Sequence, residues 1–404
     1  MLPAQPHAMA RYMKSCRTHN EPPHHLWRMA AGLALLLIAS GCASLTHDDP
    51  TPTPVPASPI SYAYSYGVGD RLSWQVQGRG WIPTPELLKQ LGLPGSGSLL
   101  GAWLSDKWQP YWITGIQQDL DHGYIPVLFH YYFGNLASRG VDAWPYVRKH
   151  ETQYLNNVRK LGEYLKTLKG TVLVVLEPEY NVPGVRDRPA FGRLLARAVG
   201  ILRETTRGSA VSLKIGVLVG DFGAYQGRIR DVSAWRTFYP SLSVVAPRLD
   251  FIAFEEMRGA THLDRHGHMK IYTPRQQGVD LLPQRVLAFS AYLQQTYHKP
   301  ILLGYLAVST YVPPGRAEDW PAAAAAAYRG VLQEQALLQQ QGVFGVMAIL
   351  LFDDMAHNKD GRDYFGDASD YFGLFGSQAR SGVDKLVEPF VAKSTGKVWL
   401  EYTR

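Results

Sequence analysis

Carboxylic acids recur in this sequence directly after short apolar runs, at positions where they could carry acid–base chemistry. They follow four such runs and are Glu177 and Glu179, Asp221, Glu255 and Glu256, and Asp353 and Asp354. Cleavage of a glycosidic bond uses two carboxyl groups flanking the bond, one protonated and one ionised. Neighbouring like charges favour that division, because they raise the pKa of one partner. The candidate catalytic residues are Glu177, Glu179, Glu255 and Glu256, with Glu177 or Glu179 as the general acid.

Further polar and aromatic side chains stand at or near the ends of the same runs and could contact a substrate. They are His130, Tyr131, Tyr180, Asn181, Asp221, Tyr305, Asp353 and Asp354. Two other interpretations compete. An acid after a strand also caps the next helix, and an aromatic ring packs inside a protein as readily as it stacks on a sugar. The recurrence of acids at several run ends favours the functional interpretation.

The apolar runs predict the strands that would position these residues. Most are continuous rather than alternating, which is typical of parallel strands covered on both faces. The runs are Leu99–Leu104, Tyr124–Tyr132, Thr171–Leu176, Lys214–Val219, Leu249–Phe254, Pro300–Leu306 and Val343–Phe352. We expect an eighth strand from Ser73–Val76 or from a segment that the pattern does not reveal.

Longer amphipathic segments between the runs predict helices. They are Glu151–Leu168, Phe191–Arg203, Leu282–Tyr297 and Pro321–Gln340. Alternating strands and helices predict an α/β fold, either a (β/α)8 barrel of the TIM type or a doubly wound sheet. Because no G-x-G-x-x-G segment follows a strand, the barrel is favoured. In such barrels the chemistry lies at the carboxyl ends of the strands.

The composition divides the chain into four segments. We expect a signal peptide over 1–41, a Pro-rich tether over 42–60, an N-terminal segment over 61–98 that adds a strand or a lid, and the barrel over 99–404. The apolar run at 29–41 has thirteen residues, whereas a membrane-spanning helix needs about 20. It therefore matches the core of a signal peptide.

The residues before Cys42 bear on how the chain would be anchored. Ala39-Ser40-Gly41-Cys42 resembles a bacterial lipobox, although Ala39 stands where leucine is usual. The resemblance implies cleavage before Cys42 and a lipid, diacylglycerol and palmitate, on its thiol. Ala43 resembles the outer-membrane sorting pattern. We therefore expect export and anchoring in the outer membrane through Cys42; an ordinary signal peptide cleaved elsewhere is the alternative.

The composition narrows the classes of partner. Of 404 residues, 46% are hydrophobic and 19% charged, which is a globular balance. Of the net charge of +7, residues 1–41 carry +3, and no dense basic run follows them, so a nucleic-acid partner is not expected. The histidines at 262, 266 and 268 could serve a metal, but their loop-like context favours a solvated loop. We expect no metal and no cofactor.

From about Tyr154 to Glu388 the sequence resembles the clan A retaining (β/α)8 glycoside hydrolases. Val174-Val175-Leu176-Glu177-Pro178 is similar to the clan's fourth strand, and Asp250–Ala253 to its sixth. Lys299–Tyr305 is similar to the seventh, and Gly342–Asp354, with Tyr371–Phe375 after it, to the eighth. The resemblance implies that Glu177 is the acid/base and that the seventh strand carries the nucleophile.

Two positions depart from the clan's pattern. Leu176 stands where the clan has asparagine, and Tyr305 stands where it has the nucleophilic glutamate. Three interpretations stay open. The catalytic roles are taken by other acids, with Glu177 or Glu179 as the acid and Glu255, Glu256 or Asp353 as its partner. Alternatively, Tyr305 itself attacks, as a tyrosine does in sialidases, or the barrel binds glycan without cutting it. The sequence thus predicts an envelope-anchored glycoside hydrolase acting on a polysaccharide, or an inactive glycan-binding or scaffold lipoprotein.

Overall fold

The structure, a computed structural model, describes residues 63–403 except 70, 96, 135, 137–138, 140–141, 223–224, 226, 265–267, 356, 359–362 and 380–384. The predicted signal peptide, Cys42 and the Pro-rich tether lie outside the described residues. None of the helices in the described part of the chain is long and apolar enough to cross a membrane.

Eight parallel strands close into a barrel, as predicted. They are β1 (Ser65–Val68), β2 (Leu99–Ser105), β3 (Ile125–Tyr131), β4 (Gly170–Leu176), β5 (Val211–Gly220), β6 (Phe251–Arg258), β7 (Ile301–Val308) and β8 (Val343–Ala348). Each strand pairs with its neighbour in the chain, and β1 closes the barrel by pairing with both β2 and β8. The seven predicted runs are therefore confirmed as consecutive strands, and the fourth, sixth, seventh and eighth strands have the ranks that the resemblance implied.

The eighth strand of the barrel comes from a segment that the pattern did not reveal. It is Ser65–Val68, whereas Ser73–Val76 forms a separate antiparallel hairpin with Gly80–Pro83. The barrel thus begins before residue 99, and the predicted boundary between 61–98 and 99–404 is corrected. The four residues of β1 are too short a run to stand out in the sequence. The backbone packs closely around β1, since a Cβ on Gly101 of β2 would overlap the carbonyl oxygen of Gly69.

Helices cover the outside of the barrel. They are α1 (Thr84–Leu91), α2 (Ile116–Asp121), α3 (Ala143–Leu165), α4 (Pro189–Thr205), α5 (Val232–Trp235), α6 (Tyr239–Val245), α7 (Leu282–Tyr297), α8 (Trp320–Gln333), α9 (Gln335–Gln340) and α10 (Ser394–Thr403). The four predicted helices are present. The segment 321–340 is divided between α8 and α9, and α3 begins eight residues before the predicted start at Glu151.

The strands carry two apolar layers because successive side chains point to opposite faces. One layer fills the barrel with side chains such as Val175, Phe129 and Leu218, and the other packs against the helices with side chains such as Val174, Leu176 and Ile252. All eight strands and the helices that cover them lie within residues 63–403, so this part of the chain has a complete core of its own. A residue at a strand end therefore faces either the mouth or the helices, depending on its parity.

Two short sheets extend the carboxyl end of the barrel. Thr261–Leu263 pairs with Met269–Ile271 in a hairpin after β6, and Leu350–Phe352 pairs with Gly373–Gly376, which in turn pairs with Val391–Ala392, after β8. These additions surround the mouth, where the predicted site residues lie.

Candidate active site

A strained turn follows β4 and carries two of the predicted acids. Glu177 and Glu179 have φ values of 46° and 60°, in the left-handed region, on either side of Pro178. Backbone hydrogen bonds hold the turn to both neighbours: Glu177 N–H donates to the His130 oxygen at 2.9 Å, and Glu179 N–H donates to the Leu218 oxygen at 3.1 Å. Left-handed non-glycine residues cost about 1–3 kcal/mol each and concentrate at functional sites. The turn is therefore a marker of function.

Glu177 fixes this turn and does not face the mouth. Its carboxyl oxygens accept hydrogen bonds from the backbone N–H groups of Tyr132 and Phe133, both at 3.2 Å, and the side chain is buried. Burial raises the pKa of Glu177 to about 8, although the two N–H groups act in the opposite direction. The structure gives Glu177 a positioning role, linking the end of β4 to the loop after β3, in place of the predicted role as acid.

Glu179 meets Glu255 at the mouth of the barrel. Glu255 lies on β6 with the parity of the inner layer, and its carboxyl group lies against that of Glu179, close enough for each group to shift the pKa of the other. Burial raises the pKa of Glu179 to about 7, while hydrogen bonds from Glu255 and from the Tyr131 hydroxyl oppose the rise. Burial and the charge of Glu179 raise the pKa of Glu255 well above its usual range. Three predicted residues, Glu179, Glu255 and Tyr131, therefore share one site.

The backbone around this carboxyl pair is clamped by Asn181. Its side-chain oxygen accepts from Gly220 N–H and its amide nitrogen donates to the Gly220 oxygen, both at 2.7 Å, and the residue is buried. Gly220 has to lack a side chain, since a Cβ there would lie 2.5 Å from Glu255 Oε1. Asn181, predicted to bind substrate, instead joins the turn of Glu179 to the end of β5.

Two further predicted acids, Glu256 and Asp221, lie in a buried network behind the barrel wall. Glu256 has the outward parity of β6 and pairs with Arg258 at 2.6 Å. Asp221 pairs with Arg285 of α7 and accepts a hydrogen bond from Trp235 Nε1 at 2.8 Å. All four charged side chains are buried. Burial and the charge of Asp221 raise the pKa of Glu256 well above its usual range, against the opposing effect of Arg258. The two acids are held by guanidinium groups behind the barrel wall, and the structure does not bring them together with Glu179 and Glu255 at the mouth.

His130 and Tyr180, predicted to bind substrate, also face the helices. His130 is fully buried, and its Nε2 lies 2.8 Å from Asn157 Oδ1 on α3. Tyr180 is buried against the ring of Phe191 on α4, with the ring centroids 5.3 Å apart. Both side chains are directed toward the helices and away from the mouth: His130 by its outward position on β3, and Tyr180 by the turn after β4.

Tyr305 lies inside the barrel below the mouth. A register shift between Leu303 and Tyr305 in the pairing of β7 with β6 directs its ring inward, where it stacks on Trp103 with the centroids 5.3 Å apart and the planes 15° apart. It is fully buried, and β7 continues to Val308 beyond it. Tyr305 thus packs in the barrel interior beneath the mouth, a position that does not favour the prediction that it contacts or attacks a substrate.

Asp353 and Asp354 lie on the β8 side of the mouth and are engaged in ion pairs. Asp353 pairs with Lys393 at 2.5 Å, and Asp354 pairs with Arg71 at 2.7 Å. Burial raises the pKa of Asp353 to about 6, against the opposing effect of Lys393. A shallow cleft lies beside them, lined also by Trp74 and Lys385. These acids border the mouth but do not join the carboxyl pair.

His357 and Asp363, in the segment that follows β8, form a pair that the sequence analysis did not predict. His357 Nε2 lies 3.1 Å from Asp363 Oδ2. Burial lowers the pKa of His357, but the hydrogen bond and charge of Asp363 outweigh burial and raise it to about 9. Both charges reach Glu179: that of His357 lowers its pKa and that of Asp363 raises it. The spacing of six residues within an irregular loop left no pattern by which this pair could be predicted.

Two loops cover the carboxyl pair. Phe365, after β8, packs on the inner apolar layer, and its carbonyl oxygen accepts from the Thr261 hydroxyl at 2.6 Å. Leu263 N–H donates to the Tyr364 oxygen at 2.8 Å. The hairpin after β6 is thereby joined to the loop after β8, and Glu255 is only 3% exposed. In the described part of the chain no group of three or more His, Cys, Asp or Glu residues could hold a metal; His266 lies outside it.

Comparisons with solved structures give the chain the fold of a glycoside hydrolase-like (β/α)8 barrel. The family 1 β-glucosidase from Thermotoga maritima matches with a TM-score of 0.52 and 13% identity, covering 84% of this chain and 97% of that one. The same enzyme in complex with glucoimidazole matches with a TM-score of 0.52 and 13% identity, covering 86% and 98%. At this identity the likeness shows the fold alone. No protein-family model matches the chain, and no curated protein does.

The buried charge network yields a prediction about stability. Replacing Arg285 with methionine leaves Asp221 buried beside an unbalanced set of charges, so we expect the free energy of unfolding to fall by about 3–5 kcal/mol. The matched control is Arg329→Met, because Arg329 pairs with Glu401 at the surface at 3.2 Å, where an ion pair contributes about 1 kcal/mol or less. Urea denaturation measures both, and equal losses in the two variants would contradict the role given to the network.

Proposed function

We propose that this protein is a glycoside hydrolase whose catalytic residues are Glu179 and Glu255. The observation that carries the proposal is that two buried carboxyl groups, one from the turn after β4 and one from β6, lie against each other at the barrel mouth, where Gly220 leaves space for that of Glu255. Hydrolysis of a glycosidic bond uses such a pair, one partner protonated and the other ionised. The glycoside hydrolase-like fold places the pair where barrel enzymes carry out their chemistry.

The roles follow from the unequal environments of the two groups. Glu255 is the more deeply buried and has its pKa raised further, so it retains its proton and acts as the general acid. Glu179, with a pKa of about 7, ionises first and acts as the nucleophile. This order reverses the sequence-based expectation that the acid would come from the turn after β4.

The contact between the two groups favours a retaining reaction. Retaining enzymes hold their carboxyl groups about 5–5.5 Å apart, and inverting enzymes about 6.5–9.5 Å apart, since a water molecule must fit beside the sugar. A pair in contact is closer to the first arrangement. A substrate has to part the two carboxyl groups and displace the covering loops before its anomeric carbon can reach Glu179.

The alternative is a barrel that binds glycan without cutting it. Two observations favour it. Glu255 is buried beneath the covering loops. The strand β7 and the residues after it, 301–317, contain no acid and so supply no nucleophile at the usual position. The same mouth would then hold a sugar through Tyr131 and the rings around it. Turnover separates the two functions.

The proposal extends to location. The lipobox-like residues before Cys42 support export and lipid anchoring at the outer membrane, with the Pro-rich segment as a spacer between the lipid and the barrel. An enzyme held in this way would act on a glycan of the cell envelope.

Substitution of the carboxyl pair tests the catalytic assignment. We expect Glu179→Gln and Glu255→Gln each to lower kcat about 10²- to 10⁴-fold, because each removes a group that forms a bond or transfers a proton. Reducing-sugar release from envelope and plant polysaccharides, together with aryl glycosides, provides the measurement. With an aryl leaving group, which needs little protonation, Glu255→Gln should lose less activity than Glu179→Gln.

The control for these variants is Glu204→Gln, which alters an exposed acid at the end of α4 and should retain full activity. Glu256→Gln tests the competing assignment. Turnover that survives loss of Glu179 and Glu255 but not of Glu256 would refute the pair, and binding of a polysaccharide without turnover in the unaltered protein would favour the glycan-binding alternative.

The pKa values predict the pH dependence of the reaction. Activity requires Glu179 ionised and Glu255 protonated. Because burial raises the pKa of Glu179 to about 7, kcat/KM should fall about tenfold per pH unit as the pH drops below about 7. On the alkaline side the loss begins only when Glu255, whose pKa is raised further, releases its proton. An acidic limb at the ordinary pKa of an exposed glutamate, measured from pH–rate profiles, would contradict the buried pair.

The anchor is tested by the mass of the mature protein. We expect a chain that begins at Cys42 and carries the added mass of a diacylglyceryl group and a fatty acid. Cys42→Ser should abolish that added mass, whereas Cys16→Ser, in the segment that is removed, should leave it unchanged. An unmodified N-terminus at another residue would overturn the proposal for location.

A further inference from the structure

Exposed apolar side chains concentrate at one end of the barrel. Ten large hydrophobic residues among those the structure describes are exposed, and six of them lie in the segments that follow β5 to β8. The six are Phe222, Ile229, Met269, Ile271, Val312 and Tyr364, each between 40% and 46% exposed. Single exposed apolar residues are ordinary, but a concentration on one face marks a surface that contacts something.

Basic residues alternate with these apolar ones. Ile229 stands between Arg228 and Arg230, and all three are exposed; Met269-Lys270-Ile271 forms an exposed strand of the hairpin after β6. We call Phe222, Ile229, Met269 and Ile271 the apolar rim. Within the described residues, Lys270 and Arg228 pair with Asp264 and Asp231 at 3.8 and 3.9 Å, and both cationic side chains are more than half exposed, so they remain at the surface in contact with solvent.

The two segments of the apolar rim are held together beneath the surface. Arg258 lies over the Tyr225 ring at 3.6 Å, in the segment after β5, and donates from Nε to the Gln277 oxygen at 3.1 Å, in the segment after β6. Arg285 donates to the Arg228 oxygen at 3.0 Å. The buried charge network therefore fixes the base of both loops, and their exposed tips form a surface that exists before any partner arrives.

We propose that the apolar rim and its cations bind the surface of a membrane that contains anionic lipid. Aliphatic side chains flanked by arginine and lysine suit the boundary between headgroups and acyl chains, where the apolar tips leave water and the cations meet lipid phosphates. Three of the four rim side chains, Ile229, Met269 and Ile271, have no flat ring on which a sugar can stack, so the rim fits a lipid surface better than a glycan. The barrel mouth would then open toward the membrane.

The proposed anchor is compatible with this orientation. The chain enters the barrel at the amino end of β1, on the side opposite the mouth. The twenty residues from 43 to 62, extended at about 3.1 Å each, would span about 60 Å. A spacer of that reach lets the barrel turn its mouth to the same membrane that holds the lipid.

Vesicle sedimentation tests the proposal with a chain shortened to start at residue 43, which lacks the lipid and retains the complete barrel. The probes are vesicles of phosphatidylcholine with and without phosphatidylglycerol. We expect binding only where phosphatidylglycerol is present, weakened by added salt. The double variant Ile229→Ser/Ile271→Ser should weaken it about tenfold or more, and Arg228→Gln/Arg230→Gln should reduce its dependence on phosphatidylglycerol.

The matched control is Leu337→Ser/Tyr239→Ser, which removes two comparably exposed side chains on α9 and α6, outside the rim, and should leave binding unchanged. Absence of sedimentation, or equal losses in the rim and control variants, overturns the proposal. It is also overturned if the rim variant sediments normally but loses affinity for a soluble polysaccharide. Unchanged urea midpoints confirm that the variants are folded. Because the measurement is binding and not turnover, its failure leaves the proposed hydrolysis untouched.

Discussion

Two carboxyl groups held in contact inside a protein cannot both ionise, and the candidate site depends on that constraint. At Glu179 and Glu255 burial disfavours charge on either group, and a charge on Glu179 further disfavours one on Glu255. The pair therefore holds at least one proton near neutral pH, and its two members are chemically different although both are glutamates. A general acid and a nucleophile need that difference.

The surrounding backbone maintains the contact against the repulsion that would part it. Two left-handed residues bend the chain after β4, Glu177 pins the bend to the loop after β3, and Asn181 clamps it to Gly220 on β5. Gly220 leaves the space that the Glu255 carboxyl group occupies. These contacts involve β3, β4, β5 and β6, so the geometry of the pair is a property of the barrel and not of one loop.

The sequence was sufficient for the architecture because seven of the eight strands are continuous apolar runs, and a parallel barrel strand has that pattern. It missed β1, since four residues carry too little pattern. It located the acids at the strand ends but not their directions. Adjacent residues such as Glu255 and Glu256 point to opposite faces of a strand, so one of them had to face the helices. Which of the two faces the helices depends on the register of β6. For Glu177 and Glu179 the directions depend on two left-handed φ values beside Pro178. Neither the register nor these φ values can be deduced from composition or spacing.

Burial alone does not distinguish a catalytic acid in this barrel, because both sets of acids are buried. Glu256 and Asp221 lie against the permanent cations Arg258 and Arg285, although burial and the charge of Asp221 raise the pKa of Glu256 well above its usual range. Glu179 and Glu255 form no ion pair with an arginine or a lysine within the described residues, and their balance comes from a shared proton and the more distant His357. A shared proton can be transferred to a substrate, whereas a guanidinium group stays in place and keeps its charge. The acids suited to chemistry are thus the ones that the protein buries without a permanent cation, and the network behind the wall supplies the rigidity that such an arrangement requires.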